Sequence, residues 1–174
     1  MNIKKSLTII VTGTPCTGKT TVARAIAARF NFEYIDVNRL IKKCKLYDSY
    51  DYDRECFVVD EARLAAGLEK EVKKAGKPLV IDSHLSHYLK PSLVNLCIVT
   101  RCSLRALKRR LTRRGYDDKK IRENLDAEIF EVCMNDARHI GHKPVAVDTS
   151  KAWRAGLYRA VKRRMRIQMG IQKG

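Results

Sequence analysis

The stretch that decides the fold is GTPCTGKT at residues 13–20, which matches the phosphate-loop pattern G-x-x-x-x-G-K-[ST] at every fixed position. It follows SLTIIVTG, a short apolar run typical of a buried strand, and it opens TGKTTVARAIAARF, whose apolar residues recur at helical spacing. Between a strand and a helix, such a loop binds phosphates because backbone N–H groups and the helix dipole converge on an anion. A chance match is the alternative, and the flanking elements disfavour it.

Each residue type in this loop has a physical role in phosphate binding. Gly13 and Gly18 let the backbone turn with no Cβ atom in the way. Lys19 brings a positive charge to the β and γ phosphates, and the hydroxyl of Thr20 is an oxygen ligand for Mg²⁺. Thr21 is expected to contact the α phosphate. The loop therefore predicts a nucleoside triphosphate site in which Mg²⁺ accompanies the nucleotide.

Cys16 occupies a loop position where many phosphate loops have glycine. Because such loops bind phosphates through main-chain groups, the thiol is expected to point away from them. A redox role and a tolerated small side chain are the two interpretations, and the second is favoured. The six cysteines show no C-x-x-C pair and no zinc spacing with histidine, which indicates reduced thiols in a cytoplasmic protein.

The rest of the chain alternates short apolar runs with helical patterns. Further strands are predicted in FEYIDV, KPLVIDSH, SLVNLCIVT and KPVAVDT. Helices are predicted at 38–46, 58–76 with Gly76 as C-cap, 103–115 with Ser103 as N-cap, 117–141 with an Asp cap, and 152–168, with a polar loop at 48–55. Apolar strands that alternate with helices are typical of an α/β parallel sheet covered on both faces. We expect one domain over 1–174 and no membrane span, because no apolar run reaches about 18 residues.

Two acids and two histidines follow predicted strands. Asp82 ends the apolar run LVID and is the best candidate for the carboxylate that holds the water shell of Mg²⁺; Asp36 is the second candidate and is expected to face the second substrate. His84 lies two residues beyond Asp82, at the carboxyl edge where ligands bind in such sheets, so it is a candidate for orienting an attacking water. His87 is a weaker candidate for the same role, with a structural role as the alternative.

The formal net charge is +17, from 36 Lys and Arg against 19 Asp and Glu. Residues 101–122 hold ten basic and two acidic residues, and 151–174 hold eight basic residues and no acid. A protein this basic is expected to meet a polyanion, with RNA or a ribonucleoprotein as the stronger candidate. The alternative is a set of solvated helix faces in a protein from a salty or hot cell.

Both basic segments have helical spacing. In the first, Arg105, Arg109 and Arg113 form one set and Arg110 and Arg114 another; one set is expected to face the nucleotide and the other solvent or RNA. The second is a basic C-terminal helix at about 151–170. Its residues expected in the core are Trp153, Leu157, Val161 and Ile167, and those expected outside are Arg159, Lys162, Arg163 and Arg166. RNA contact and a solvated face are both open for this helix.

Four stretches together resemble a known family: GTPCTGKTT, YDSYDYDRECFVVDEARLAAGLEKEV, VIDSHLSH and RRGYDDKKIRENLDAEIFEVCMNDA. They resemble the small adenylate kinase-like family of archaea and eukaryotic nuclei, also called adenylate kinase isoenzyme six, which is tied to small-ribosomal-subunit maturation. The resemblance runs from about residue 7 to 150, and the combination of motifs is specific although the phosphate loop alone is not. Cys16 and the strongly basic last helix depart from the family pattern.

This resemblance implies a nucleoside monophosphate kinase-like P-loop fold with a five-stranded parallel sheet, an acceptor-binding insert at about 36–59 and a short lid at about 113–123. In the insert, Asp51 and Asp60 would fix its shape, and Asp36, Val37, Asn38 and Leu40 would bind AMP. In the lid, Arg114 would lie over the adenine and phosphates of ATP. The resemblance implies the catalytic residues Lys19, Asp82, His84 and Arg114. It implies that ATP contacts Gly13, Cys16, Gly18, Lys19, Thr20, Thr21 and Arg114. Mg²⁺ would be held by Thr20 directly and by Asp82 through water.

Two functions follow from the resemblance. One is a broad-specificity nucleoside monophosphate kinase that uses ATP and AMP and also hydrolyses ATP, because a lid of about eleven residues without a zinc module admits water. The other is an ATP-driven assembly factor that binds a platform protein of the small ribosomal subunit and rRNA, with kinase activity incidental. A GTPase is disfavoured, since no guanine-reading N-K-x-D motif is present.

Overall fold

The computed structural model describes residues 7–52, 56–168 and 170. The strands in chain order are β1 (Thr8–Thr12), β2 (Glu33–Asp36), β3 (Ser49–Asp51), β4 (Cys56–Val58), β5 (Leu79–Asp82), β6 (Leu96–Arg101) and β7 (Pro144–Asp148). The helices are α1 (Lys19–Phe30), α2 (Val37–Cys44), α3 (Glu61–Lys74), α4 (Leu104–Arg113), α5 (Asp118–Ile129), α6 (Val132–His139) and α7 (Arg154–Gln168). Two short 3₁₀ turns follow β5, at Ser86–Tyr88 and Pro91–Leu93.

Five strands form one parallel sheet in the spatial order β2–β5–β1–β6–β7. The central strand β1 is fully buried, and its alternate side chains enter two different cores. Ile9 and Val11 pack with α1 and α7 on one face of the sheet, whereas Ile10 packs with α2, α3 and α6 on the other. The predicted α/β parallel sheet covered on both faces is confirmed.

The segment 48–55, predicted as a loop, instead enters an antiparallel hairpin of β3 and β4. Tyr50 pairs with Phe57 across the hairpin, and their ring centroids lie 5.2 Å apart. Cross-strand aromatic pairs stabilise a hairpin, and this pairing was hidden by the polar residues between them. Residues 53–55 of the predicted loop lie outside the described residues.

The predicted long helix over 117–141 is wrong, because it is two helices separated at Phe130 and Glu131. Glu131 has a left-handed backbone with φ 52°, and its carboxylate pairs with Arg101 at 2.5 Å. The side-chain amide of Asn135 donates to the carbonyl of Phe130 at 2.9 Å, so side-chain contacts hold the corner. The Asp cap is confirmed at Asp117, whose carboxylate accepts from the Lys120 N–H at 2.7 Å.

Of three smaller helix predictions, the structure confirms one and contradicts two. The Ser103 N-cap is confirmed, since its hydroxyl accepts from the Ala106 N–H at 3.3 Å. The Gly76 C-cap is wrong, because α3 already ends at Lys74 and Gly76 has no left-handed backbone. Ile167 is 59% exposed rather than buried, since the helical period places it beside the buried stripe of Leu157 and Val161.

Candidate active site

A large cleft opens where the strands of the sheet end. Its volume is about 1010 Å³, at the upper end of the range for ligand sites. Side chains that end or directly follow β1, β2, β5 and β7 line it, together with parts of the hairpin, α4 and α5. Open α/β sheets bind ligands at this edge, so the cleft is the candidate site.

The phosphate loop forms the floor of the cleft, and its two glycines are required by their surroundings. Gly13 has φ 137°, and a Cβ atom there would lie 2.5 Å from the carbonyl oxygen of Thr100. Gly18 has φ 101°, and a Cβ atom would lie 3.1 Å from the Cγ2 of Thr149. Both positions combine a backbone that L-residues rarely adopt with a close neighbour, so the sequence motif reflects steric need.

Lys19 begins α1 and lies folded against its own loop. Its ammonium donates to the carbonyls of Gly13 at 2.8 Å and Thr14 at 2.9 Å. Burial lowers the pKa of Lys19, while the nearby Cys133 and Asp82 act in the opposite direction. The ammonium is therefore enclosed at the loop, on the side where phosphate oxygens would bind.

A buried network of hydroxyls holds the loop in shape. Thr17 donates to the Thr14 carbonyl and shares a hydrogen bond with the Thr100 hydroxyl, both at 2.7 Å. Thr14 donates to the carboxylate of Glu128 at 2.7 Å, and the backbone N–H of Cys102 donates to the same carboxylate at 3.2 Å. Glu128 is 5% exposed, and sequence reasoning missed it because a single acid in a helix carries no local signal.

Asp82 ends β5 and lines the cleft, buried to 6% exposure. Its carboxylate accepts a hydrogen bond from the Tyr34 hydroxyl at 2.8 Å, and burial together with this bond raises the pKa of Tyr34 to about 12. Thr20 lines the same cleft, so hydroxyl and carboxylate oxygens are both available. Among the described residues, no group of three or more His, Cys, Asp and Glu side chains is arranged to hold a metal ion by itself. This donor set fits Mg²⁺, which takes few protein oxygens and completes its shell with phosphates and water.

The two histidines after β5 have different surroundings. His84 lines the cleft and is open to water on that side, while enclosure by the protein and then the charge of Lys19 lower its pKa to about 4. The lowered pKa keeps the imidazole of His84 neutral at about pH 7. His87 is 2% exposed and packs beneath the cleft, where its Nδ1 lies 2.9 Å from the Thr12 hydroxyl. Of the two, only His84 lies where a ligand would meet it.

The residues expected at the acceptor side are divided between cleft and core. Asp36 and Asn38 line the cleft, and the Asp36 carboxylate also caps α2 by accepting from the Asn38 N–H at 2.9 Å. The side chain of Val37 is fully buried and that of Leu40 packs against the same core, beneath the insert. Asp60 caps α3, accepting from the Arg63 N–H at 2.7 Å. The hairpin side chains Tyr50 and Phe57 also line this part of the cleft, and sequence reasoning missed them.

Two arginines reach the cleft from the opposite side. Of the two helical sets in the first basic segment, Arg110 and Arg114 line the cleft. Arg110 donates to the Cys16 carbonyl at 3.3 Å and to the Thr149 hydroxyl at 3.0 Å, which ties the phosphate loop to the segment after β7. Arg114 is exposed, with its guanidinium 3.9 Å from the Cys16 sulfur and 5.4 Å from the centre of the Tyr116 ring.

Cys16 has a left-handed backbone with φ 64°, which gives a physical reason for the glycine common at this position. Its side chain packs toward the apolar cluster of α4 and α5 that contains Leu107, Leu111 and Ile121. The thiol thus lies on the side of the loop that faces α4 and α5.

Comparison with known proteins identifies the family of this chain. It is 38% identical over 130 residues to a putative adenylate kinase of Methanocaldococcus jannaschii, covering 75% of this chain and 71% of the relative. It is 34% identical over 149 residues to the adenylate kinase isoenzyme 6 homolog of Dictyostelium discoideum, covering 85% and 84%. The chain belongs to the adenylate kinase isoenzyme 6 family. The resemblance drawn from the sequence motifs is confirmed.

A family model and several solved structures also match this member of the adenylate kinase isoenzyme 6 family. A family model described as an AAA domain matches residues 9–131. Among solved structures, a shikimate kinase from Acinetobacter baumannii has a TM-score of 0.62 at 12% identity, covering 98% of this chain and 97% of that one. A gluconokinase from Sinorhizobium meliloti 1021 has a TM-score of 0.58 at 18% identity, covering 96% of both chains. These neighbours show a P-loop kinase fold. Among the helices described, none is long and apolar enough to cross a membrane.

Proposed function

We propose that this protein is a broad-specificity nucleoside monophosphate kinase that transfers the γ-phosphoryl group of Mg²⁺-bound ATP to AMP and yields two ADP. The main observation in support of this proposal is that one cleft contains both the phosphate loop and, across from it, Asp36 and Asn38 at the start of the insert. Its volume of about 1010 Å³ accommodates a donor and an acceptor nucleotide together. Membership in the adenylate kinase isoenzyme 6 family supports the same reaction.

Phosphoryl transfer requires the protein to position the two nucleotides and to neutralise the negative charge of their phosphates. In the proposed complex, the ammonium of Lys19 leaves the loop carbonyls of Gly13 and Thr14 and binds the β and γ phosphates. Gly13, Cys16, Gly18 and Thr21 supply main-chain and hydroxyl contacts to the phosphates. Thr20 directly and Asp82 through water hold Mg²⁺, which when bound offsets the negative charge of the phosphates.

Arg114 and the lid at about 113–123 complete the donor side. Arg114 stands at the cleft wall with its guanidinium near Cys16, so a modest movement of the lid brings it over the phosphates. On the acceptor side, Asp36 and Asn38 contact AMP through side chains, and Val37 and Leu40 through the backbone and the packing beneath it. Closure of both segments excludes water, so that AMP receives the phosphoryl group.

The protein also hydrolyses ATP in this proposal, with His84 in the water-positioning role. His84 lines the cleft, and its lowered pKa keeps the ring neutral, so that a ring nitrogen accepts a hydrogen bond from a water molecule and orients it. The short lid leaves water access when no acceptor is bound.

A coupled assay tests the kinase reaction. Purified protein with ATP and AMP is expected to form ADP, and Lys19→Met is expected to lower the rate by at least about 10²-fold because one charge clamp is lost. Lys43→Met is the matched control, since this exposed α2 lysine lies outside the cleft. Absence of ADP formation with AMP, or an unchanged rate in Lys19→Met, would contradict the proposal.

Release of inorganic phosphate without AMP tests the hydrolysis step. His84→Gly is expected to lower hydrolysis more than it changes the Kd of ATP. Unchanged hydrolysis with normal ATP binding would remove His84 from this role.

The proposed cellular role is in maturation of the small ribosomal subunit and its 16S or 18S rRNA, in the cytoplasm. Family membership and the net charge of +17 support it. The alternative is an ATP-driven assembly factor that binds a platform ribosomal protein, with kinase activity incidental. Hydrolysis that is stimulated by that protein or by rRNA, with little ADP formed from AMP, would favour the alternative.

A further inference from the structure

Helix α7 carries an exposed row of positive charge, which we call the basic stripe. Its members lie at positions i, i+3, i+4 and i+7 of the helix, so they share one face. All are exposed: Arg159, Lys162, Arg163 and Arg166. The residues 149–168 contain no acid, and neither does the neighbouring helix α1. The charge of the stripe is therefore not balanced by acidic residues of α7 or α1.

Helix α3 on the other side of the sheet shows how this chain neutralises exposed lysines. Lys73 pairs with Glu69 at 3.8 Å and Lys74 with Glu71 at 3.4 Å, each one helical turn apart. Within the part of the chain that the structure describes, no ion pair involves a residue of the basic stripe. The same helical spacing that stabilises α3 places like charges together on α7, which destabilises a helix.

Folding alone does not account for the basic stripe. Cations interact favourably with the C-terminal end of a helix, but this effect is confined to the last turn, where only Arg166 of the stripe lies. Arg159, Lys162 and Arg163 repel one another without that compensation. A stripe that opposes the stability of its own helix points to an anionic partner outside the chain.

The apolar side of α7 is already occupied. Leu157 and Val161 are buried against the sheet and α1, and Tyr158 packs edge-on against Phe30 with ring centroids 5.7 Å apart. The helix therefore has no free apolar face to insert into a lipid surface, as an amphipathic membrane helix would. Arg29 of α1 is a further exposed cation, with its guanidinium 5.8 Å from the centre of the Phe30 ring.

We propose that the basic stripe binds the phosphate backbone of RNA. Its ends are seven residues apart, or about 10 Å, which spans roughly three successive phosphates of a nucleic-acid strand. None of its residues lines the nucleotide cleft, so this surface is separate from the site that binds ATP. The choice of RNA among nucleic acids rests on the proposed function in rRNA maturation, whereas the phosphate contact rests on the charges alone.

The test is fluorescence anisotropy of a short labelled single-stranded RNA of mixed sequence, titrated with the full chain over a series of KCl concentrations. The unaltered protein is expected to bind with an affinity that falls as salt rises. The fourfold variant Arg159→Gln, Lys162→Gln, Arg163→Gln, Arg166→Gln is expected to bind more weakly. Its slope of log K against log salt is expected to be shallower by about 2, at ~0.7 for each of the roughly three lost phosphate contacts.

A matched variant controls for net charge. It removes four exposed cations that lie outside both the stripe and the cleft, and that make no ion pair among the described residues: Lys70, Lys77, Arg138 and Lys143, each to Gln. It is expected to keep most of the salt slope. Equal weakening by the two variants would show general attraction rather than a site and would overturn the proposal, as would binding that does not vary with salt.

Three competing ligands and one activity measurement separate the remaining outcomes. A DNA strand of the same sequence that binds as tightly would overturn the assignment to RNA; tighter capture by phosphatidylserine vesicles or by polyglutamate would overturn it in favour of a membrane or an acidic protein. ADP formation by the stripe variant is expected to match the unaltered protein, which also shows that it folds. Loss of RNA binding with normal ADP formation supports the stripe, whereas RNA binding without ADP formation contradicts only the proposed kinase reaction.

Discussion

The hydroxyl of Thr14 donates a 2.7 Å hydrogen bond to the carboxylate of Glu128, across 114 residues of chain. It connects the phosphate loop to α5, whose first turns fall in the predicted lid at 113–123. The carboxylate is buried and also accepts from the backbone of Cys102. A displacement of α5 is therefore transmitted through this hydrogen bond to the loop that would hold the nucleotide.

Thr14→Val tests this connection, since valine has the same shape and lacks the hydroxyl. It leaves the buried Glu128 carboxylate short of a donor, so we expect the free energy of unfolding to fall by about 1–3 kcal/mol. The KM for ATP is expected to rise because the loop loses one of its supports. Urea unfolding and the ATP dependence of ADP formation measure the two effects.

Thr112→Val is the matched control, because the Thr112 hydroxyl donates to a backbone carbonyl on the exposed side of α4. Its effect on stability is expected to stay within about 0.5 kcal/mol. Equal behaviour of the two valine variants would show that the bond to Glu128 is of no consequence.

Gly13→Ala is expected to damage both the fold and ATP binding. The new Cβ atom would stand 2.5 Å from the Thr100 carbonyl oxygen at a φ of 137°, and neither backbone has room to move. We expect a loss of at least about 2 kcal/mol in the free energy of unfolding, from overpacking and backbone strain. Denaturant unfolding and a direct ATP titration measure it.

Gly156→Ala is the control in the same chain. A Cβ atom there meets nothing within 4 Å, and the residue lies inside α7. Alanine in a helix is expected to increase stability by about 0.8–1 kcal/mol. A change of stability in the same direction for the two alanine variants would contradict a steric requirement for glycine at position 13.

The sequence predicted the sheet and the floor of the cleft because each has a local signal. Apolar runs mark the strands, and the G-x-x-x-x-G-K-T spacing marks the loop with Lys19. Asp82 and His84 line the cleft for a similar reason, since they end or follow a strand whose carboxyl end lies at the edge where such sheets bind ligands.

The parts that the sequence did not predict depend on contacts between distant residues. Tyr34 reaches Asp82 across 48 residues, and Glu128 reaches Thr14 across 114. At the break before α6, Glu131 pairs with the distant Arg101, a contact that the helical pattern of the segment cannot reveal. The burial of Val37 in the core likewise follows from packing between distant residues, which a sequence motif does not describe.

Cys16→Gly is expected to stabilise the protein and to preserve ATP binding. Its backbone φ of 64° is costly for an L-residue and free of that cost for glycine, so we expect a gain of about 0.5–1 kcal/mol after the loss of thiol packing. Cys44→Gly is the control, because Cys44 is the last residue of α2 and glycine lowers helix stability there. Thermal unfolding of both variants measures the difference, and a destabilised Cys16→Gly would show that the thiol packing outweighs the strain.

Acid is expected to destabilise the protein through the buried His87. Burial lowers the pKa of His87 below its ordinary value of 6.5; Asp136 and Glu61 oppose this shift, and His142 adds to it. Because the unfolded chain then takes up the proton first, the stabilisation is fully present above about pH 6.5 and is lost as the pH falls below it. His84 acts in the same direction, since its pKa is lowered to about 4.

Urea unfolding midpoints measured between about pH 7 and pH 5 test this dependence. His87→Gln removes the titrating group and retains an amide that can bond to the Thr12 hydroxyl, so its midpoint is expected to vary less with pH than that of the unaltered protein. His139→Gln, at an exposed position of α6, is the control for the loss of a histidine from the chain. A His87→Gln variant that loses stability toward acid as steeply as the unaltered protein would assign the effect to other groups, with the carboxylates of Asp136 and Glu61 next to be substituted.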